Sequence, residues 1–215
     1  MVSPEAVMHL APVIPVLTIA DAAHARPIAE ALVAGGLRAL EVTLRTPAAL
    51  EAMAEMAKVE GAVVGAGTVL NPVDLAASLG AGAKFVVSPG LTDSLARAAI
   101  DAGVPFLPGI SSAGDIMRGL DLGLTHFKFF PAEAAGGRKA LAALSAPFGQ
   151  ARFCPTGGIT RETASEWLAL PSVLCVGGSW LVPPGPPDGA VIRALAVVTA
   201  GLRRTLSGRE ADPLP

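Results

Sequence analysis

Charge is scarce in this 215-residue chain. Only 16% of its residues are Asp, Glu, Lys or Arg, and 16 basic against 18 acidic side chains leave a net charge of -2. No basic block or acidic tail stands out, so neither nucleic acid nor a membrane surface is an expected partner. Cysteine is scarcer still: Cys154 and Cys175 each sit in an apolar run, in no metal-ligand or redox spacing. They read as reduced core residues of a cytoplasmic protein. The three histidines, His9, His24 and His126, are scattered, which argues against a metal cluster, and neither a metal nor a cofactor is expected. Long hydrophobic runs are missing too, because Gly, Pro or a charge interrupts every stretch short of the roughly 20 residues that span a bilayer. The N-terminal stretch, broken by proline at 4, 12 and 15, lacks the basic region and apolar core of a signal peptide. Gly65-Ala66-Gly67-Thr68 begins like a dinucleotide fingerprint but puts Leu70 where the third glycine belongs, which disfavours a nicotinamide cofactor.

What the chain does have is aliphatic residues, 52% being hydrophobic. The mean hydropathy of +0.55 comes from abundant Ala, Val and Leu and reports a core rather than lipid contact. The length suits one domain spanning 1–215. Residues 13–19 (VIPVLTI) form a β-branched run, and 22–36 (AAHARPIAEALVAGG) have helical periodicity ending in a glycine pair suited to a C-cap. The strand-helix unit then recurs at 39–45 and 47–59, 62–69 and 72–79, 84–88 and 92–102, and 105–109 and 112–120. It continues at 126–130 and 137–144, 152–156 and 160–168, and 173–176 with a closing helix near 188–206. Thr46-Pro47, Asn71-Pro72 and Thr92-Asp93 mark helix starts. Such alternation predicts a parallel sheet covered by helices, and eight units in about 200 residues fit a closed (β/α)8 TIM barrel better than an open sheet. The proline-rich loop at 183–188 is not a domain boundary, and 208–215 are expected to fray.

One stretch carries chemistry: His126-Phe127-Lys128-Phe129-Phe130-Pro131 places a lysine inside a short aromatic strand. Alternation puts Lys128 and Phe130 on the face opposite Phe127 and Phe129, so the lysine faces an interior. Only a neutral amine is nucleophilic, and an unperturbed lysine, with a pKa of about 10.4, is neutral at pH 7 in roughly one molecule in two thousand. Desolvation or a nearby cation raises that fraction, which is the condition for Schiff-base formation with a carbonyl compound. The alternative is a strand-rim lysine that returns its ammonium to water. His126, at the start of the strand, reads as a satisfied structural histidine.

In a barrel the chemistry lies at the C-terminal ends of the strands. There Glu41, Thr43 and Arg45 share one face of the second strand while Leu40, Val42 and Leu44 share the other, so Glu41 and Arg45 are expected to point inward. A structural ion pair is the plain reading of the two. Beside Lys128 they also supply a proton shuttle and a cation for a substrate carboxylate. Thr156-Gly157-Gly158-Ile159 and Gly177-Gly178-Ser179-Trp180 follow the last two strands, where backbone N–H groups of barrels often bind phosphate. Gly65-Ala66-Gly67 is expected to present Thr68 to the same pocket.

Taken together, Glu41-Val42-Thr43-Leu44-Arg45-Thr46, Gly65-Ala66-Gly67-Thr68-Val69, Val87-Ser88-Pro89-Gly90, Pro108-Gly109, Phe127 to Glu133 (FKFFPAE), Pro155 to Ile159 (PTGGI) and Val176 to Trp180 (VGGSW) resemble the KDPG/KHG aldolases. The likeness runs in order through residues 13 to 182 and is loosest in the proline-rich loop and the tail. It implies a homotrimeric (β/α)8 barrel and a class I lyase that cleaves 2-keto-3-deoxy-6-phosphogluconate (KDPG) to pyruvate and glyceraldehyde 3-phosphate. It also implies that Lys128 forms the Schiff base and Glu41 is the general acid/base. Arg45 and Thr68 would hold the pyruvate carboxylate, Pro89 and Phe130 would wall its methyl, and Thr156 would lie near the substrate hydroxyls. Gly157, Gly158, Gly178 and Ser179 would cradle the phosphate. Alternatives on the same scaffold are an aldolase for 4-hydroxy-2-oxoglutarate or for the 6-phosphogalactonate epimer. A sugar-phosphate isomerase with Glu41 as base, and a non-catalytic phosphate-binding barrel, are the more distant ones.

Overall fold

The structure is a computed structural model and describes residues 3–202. A short helix α1 (Pro4–Met8) opens the chain, followed by β1 (Val13–Leu17), a 3-10 turn (Ala22–His24), α2 (Ala25–Ala34), β2 (Ala39–Thr43) and α3 (Ala49–Met56). Then come β3 (Val63–Gly67), α4 (Pro72–Gly80), β4 (Phe85–Val87), α5 (Asp93–Asp101), β5 (Phe106–Leu107), β6 (Gly109–Ile110) and α6 (Ala113–Asp121). The series ends with β7 (His126–Phe129), α7 (Gly137–Ser145), β8 (Arg152–Pro155), α8 (Ala164–Leu168), β9 (Val176–Gly178) and α9 (Gly189–Ala200). Six strands pair in the order β5-β4-β3-β2-β1-β9, and β6-β7-β8 form a second sheet of three. All the pairs are parallel. This is an α/β fold with a curled parallel sheet of six strands. Isolated bridges Phe153↔Val173 and Thr156↔Gly177 lie alongside β8 and β9. Among the described residues no helix is long and apolar enough to cross a membrane.

The strands are buried on both faces, as parallel strands under helices must be. One large cluster holds Leu40, Val42, Phe127, Phe129 and Phe153 together with helix residues such as Leu32, Met53 and Trp167. A second, smaller cluster holds Ile14, Ala39, Phe85, Val87, Leu107, Cys154 and Cys175, joined by Val7 and Met8 of α1. The expected alternation therefore holds: in β2 Leu40 and Val42 join the large cluster, while Glu41 and Thr43 lie on the opposite side and are 3% and 1% exposed. Cys154 and Cys175 are buried and are not joined in a disulfide.

Several expected boundaries are corrected. The strand expected at 105–109 is split at Pro108, which has no N–H to give to a ladder; its carbonyl still accepts from the Lys128 N–H at 2.8 Å. The last strand lies at Val176–Gly178 rather than 173–176, because Val176, Gly177 and Gly178 are the residues that pair with Val13, Ile14 and Pro15 of β1. Thr46 does not cap a helix: its hydroxyl donates to the Ile19 carbonyl, and α3 starts at Ala49 without a side-chain cap. Asn71 and Thr92 do cap, accepting from Val73 and Asp74 and from Leu95 respectively. Helix α1 was not anticipated, although Ser3, Pro4 and Glu5 are an N-cap, an N1 proline and a first-turn acid. The expected fraying of 208–215, and the end of the closing helix beyond 202, lie outside the described residues.

Candidate active site

The polar side chains buried in the strands gather at one place. Lys128, 6% exposed, reaches across from β7 so that its Nζ lies 3.2 Å from Glu41 Oε1 of β2. The register that brings Lys128 there pairs it with Gly109 on one side and Cys154 on the other. Glu41 pairs with Val16 and Gly65. Two ions so enclosed are stable only as a pair, since the loss of either leaves an uncompensated buried charge. The amine also lies 5.1 Å from the centroid of the Phe130 ring, which contributes its negative π face.

Glycine makes room for the carboxylate. A Cβ on Gly67 would stand 2.2 Å from Glu41 Oε1, so the end of β3 has to be bare for the acid to point at Lys128. The next residue, Thr68, has φ of 60°, the left-handed region that a β-branched residue rarely adopts.

A cavity of about 300 Å³ opens over the ion pair. Lys128, Arg45, Thr68, Pro89, Phe130, Thr156, Gly157, Gly158 and Ser179 line it, together with Thr43, Val16, Ile159 and Gly177. Every one of these follows or ends a strand at its C-terminal side, except Val16, Lys128 and Gly177, which lie within β1, β7 and β9. Two expectations need correction. Arg45 does not lie in a strand pointing inward: β2 ends at Thr43, and Arg45 is exposed at the cavity, with its Nε donating to Thr43 Oγ1 at 3.2 Å. Gly178 does not line the cavity, and Gly177 does: a Cβ on Gly178 would meet the Trp180 ring at 2.3 Å, whereas one on Gly177 would meet Thr156 Oγ1 at 2.3 Å. Thr43 and Gly177 were the residues overlooked. Thr43 shares the parity of Glu41 and Arg45, and that signal was available.

The loop after β8 is stitched to the one after β7. Ala132 N–H donates to the Thr156 carbonyl at 2.8 Å and Glu133 N–H to the Gly157 carbonyl at 3.1 Å. Glu133 in turn accepts from Trp167 Nε1 at 3.1 Å, so buried Trp167 anchors the segment. Gly157 and Gly158 have φ of 106° and 78°, a backbone that only glycine adopts at little cost.

His126, two residues before Lys128, is a different case. Its Nδ1 lies 3.0 Å from Thr125 Oγ1, but its buried Nε2 has no hydrogen-bond partner among the described residues, so the expectation of a satisfied histidine is only half met. Burial pushes its pKa below the ordinary value; Arg152 and His9 push the same way and Glu5 opposes them.

An amine and a carboxylate enclosed together at the strand ends of a parallel α/β fold, beneath a cavity with a cation and glycine loops at its rim, define an enzyme of the lysine-centred lyase class. A family model described as KDPG and KHG aldolase matches residues 5–195, and the chain belongs to that family. A 2-dehydro-3-deoxy-phosphogluconate aldolase of Zymomonas mobilis is 58% identical over 200 residues, covering 93% of this chain and 96% of the relative. The crystal structure of the 2-keto-3-deoxy-6-phosphogluconate aldolase of Zymomonas mobilis ZM4 with 3-phosphoglycerate superposes with a TM-score of 0.92 at 58% identity, over 94% of this chain and 97% of that one. A KDPG aldolase from Legionella pneumophila, with pyruvate captured at low pH as a covalent carbinolamine intermediate, superposes with a TM-score of 0.89 at 44% identity, over 92% and 98%.

Proposed function

We propose that the protein is a class I aldolase that cleaves KDPG to pyruvate and glyceraldehyde 3-phosphate. The observation that carries this reading is the buried Lys128 Nζ at 3.2 Å from Glu41 Oε1, with Lys128 lining the cavity. The neighbouring family members named above support it, one by its substrate name and one by its trapped pyruvate adduct.

In this mechanism Glu41 takes a proton from Lys128, and the neutral amine attacks the C2 ketone to give a carbinolamine. Glu41 returns that proton to the carbinolamine hydroxyl, which leaves as water, and the protonated imine that remains draws electrons from the neighbouring bond. Glu41, directly or through a water, removes the proton of the C4 hydroxyl. The C3–C4 bond breaks, its electron pair moves into an enamine, and glyceraldehyde 3-phosphate departs. Protonation at C3 and hydrolysis release pyruvate and return the amine. Arg45 and Thr68 hold the carboxylate of the keto acid, Pro89 and Phe130 wall the pyruvate methyl, and Thr156 faces the hydroxyls. The loops at Gly157, Gly158 and Ser179 receive the phosphate, with Gly177 giving Thr156 its space.

The reading includes one domain in which the strands close into a (β/α)8 barrel. β5 and β6 flank Pro108 like one interrupted strand, and the bridges between Phe153 and Val173 and between Thr156 and Gly177 support closure on the other side. Family likeness supports a cytoplasmic homotrimer, which sedimentation velocity tests. A second substrate, 4-hydroxy-2-oxoglutarate, is favoured by the family description, which covers both activities. Relative cleavage rates on KDPG, its galactonate epimer and 4-hydroxy-2-oxoglutarate rank the substrates.

The direct test is incubation with pyruvate and borohydride followed by peptide mass spectrometry. Reduction of the imine is expected to leave one stable adduct on the peptide holding Lys128, and none in the Lys128→Ala variant. No adduct overturns the reading and favours an isomerase or a binding barrel, and an adduct on another lysine overturns the assignment of Lys128.

A further inference from the structure

We propose that Thr43 is the positioning residue that presents Arg45 to the substrate carboxylate, an inference that rests on the reading of Arg45 as the carboxylate clamp. A hydroxyl has one proton and two lone pairs. Thr43 Oγ1 gives its proton to the Leu17 carbonyl at 2.9 Å. With the proton committed, the contacts from Arg45 Nε at 3.2 Å and Thr18 Oγ1 at 3.1 Å are both received on lone pairs, so Thr18 is the donor of the threonine pair. All three capacities are in use, on a residue that is 1% exposed in the middle of the sheet. The oxygen therefore has one orientation.

Arg45 is the opposite kind of residue. It stands two positions past the end of β2, is exposed, and forms no ion pair among the described residues. A long side chain in that situation has many rotamers to lose when it binds an anion. Tying Nε to Thr43 removes much of that freedom beforehand. It also leaves the two terminal amino groups as the edge offered to the ligand, the pair that makes parallel hydrogen bonds to a carboxylate. Thr18 fastens the same oxygen to the chain leaving β1, so the guanidinium is referenced to two adjacent strands, one of which carries Glu41.

The test is a cycle of variants assayed on KDPG. Thr43→Val keeps the shape and removes the hydroxyl; KM is expected to rise roughly tenfold, the value of a hydrogen bond to a charged group, with a smaller change in kcat. Thr43→Ser is expected to restore most of the affinity. Arg45→Ala is expected to raise KM on its own, and adding Thr43→Val to it is expected to change KM no further. The proposal is overturned if Thr43→Val leaves KM unchanged while Arg45→Ala raises it, or if the Thr43→Val penalty persists in full without Arg45. If Arg45→Ala itself leaves KM unchanged, the clamp reading falls and takes this proposal with it. Should Thr43→Val fail to fold, Thr43→Ala, which opens space instead of filling it, is read by the same criteria.

Discussion

Strand β7 carries a nitrogen base near each end, and the surroundings of the two could hardly differ more. At its start His126 is half-buried, holds one hydrogen bond to Thr125 and leaves Nε2 without a partner among the described residues. Two residues on, Lys128 is more deeply buried but has a carboxylate at 3.2 Å. The apolar cluster of the sheet, with Phe85, Cys154, Val7 and Met8, contains neither ion. Burial without a partner favours the neutral form of a base; burial beside a carboxylate yields a pair between which a proton can pass. The two bases thus differ less in enclosure than in whether an acid stands within reach.

That contrast can be broken or sharpened by substitution. The largest effect is expected from Glu41→Gln, which keeps the shape and removes the proton shuttle: kcat should fall by roughly 10²–10⁴-fold. Steady-state cleavage kinetics check it, and a variant with undiminished kcat would mean that the acid is only structural. Gly67→Ala should come next. It adds no charge and touches no substrate, yet its methyl would occupy the place of Glu41 Oε1, and displacement of a catalytic group by about 1 Å costs on the order of 100-fold in rate. A crystal structure of the variant should show the carboxylate turned away from Lys128.

At the apolar end the sign of the experiment reverses. Met8→Ala is expected to lower stability by about 2–5 kcal/mol, because Met8 is fully buried among Ile14, Phe85 and their neighbours, while kcat stays as it was. Chemical denaturation and turnover on one preparation check both halves of that statement. The smallest effect concerns His126. Its folded pKa is depressed by burial, with Arg152 and His9 acting in the same direction and Glu5 against it. The unfolded chain therefore takes up its proton near pH 6.5, while the folded chain does so only at lower pH. Stability should fall as pH drops from about 6.5 toward that lower value, then level off for this group. Denaturation midpoints between pH 5 and 7.5 should decline less steeply in His126→Phe than in the parent, and parallel curves would show that the imidazole is not the cause.

The residues of the site were easier to read than the edges of the elements that hold them. Parity along a strand is a local property, so the inward set of Glu41 and Thr43 and the split between Lys128 and its flanking phenylalanines could be read from spacing alone. Where a strand stops depends on what lies beside it. β2 ends at Thr43 because the ladder with β3 runs only to Gly67, and Arg45 is consequently a rim residue held by a side chain. β9 includes two glycines, poor strand formers that are recruited because β1 pairs with them. The proline within the strand expected at 105–109 was visible, but the interruption follows from a missing donor that matters only beside a paired neighbour. α1 had its capping residues in plain view; five residues are too few for periodicity to register.

The contact between Lys128 and Glu41 joins positions 87 residues apart, one in the first quarter of the chain and the other well past its midpoint. A cut at the midpoint of the polypeptide leaves one on each piece, so either piece alone would inherit one reagent and none of the reaction. Turnover is thus a gauge of whether the two segments have met: an assay for released pyruvate, applied to separately expressed pieces mixed together, would score their reassembly with no label attached.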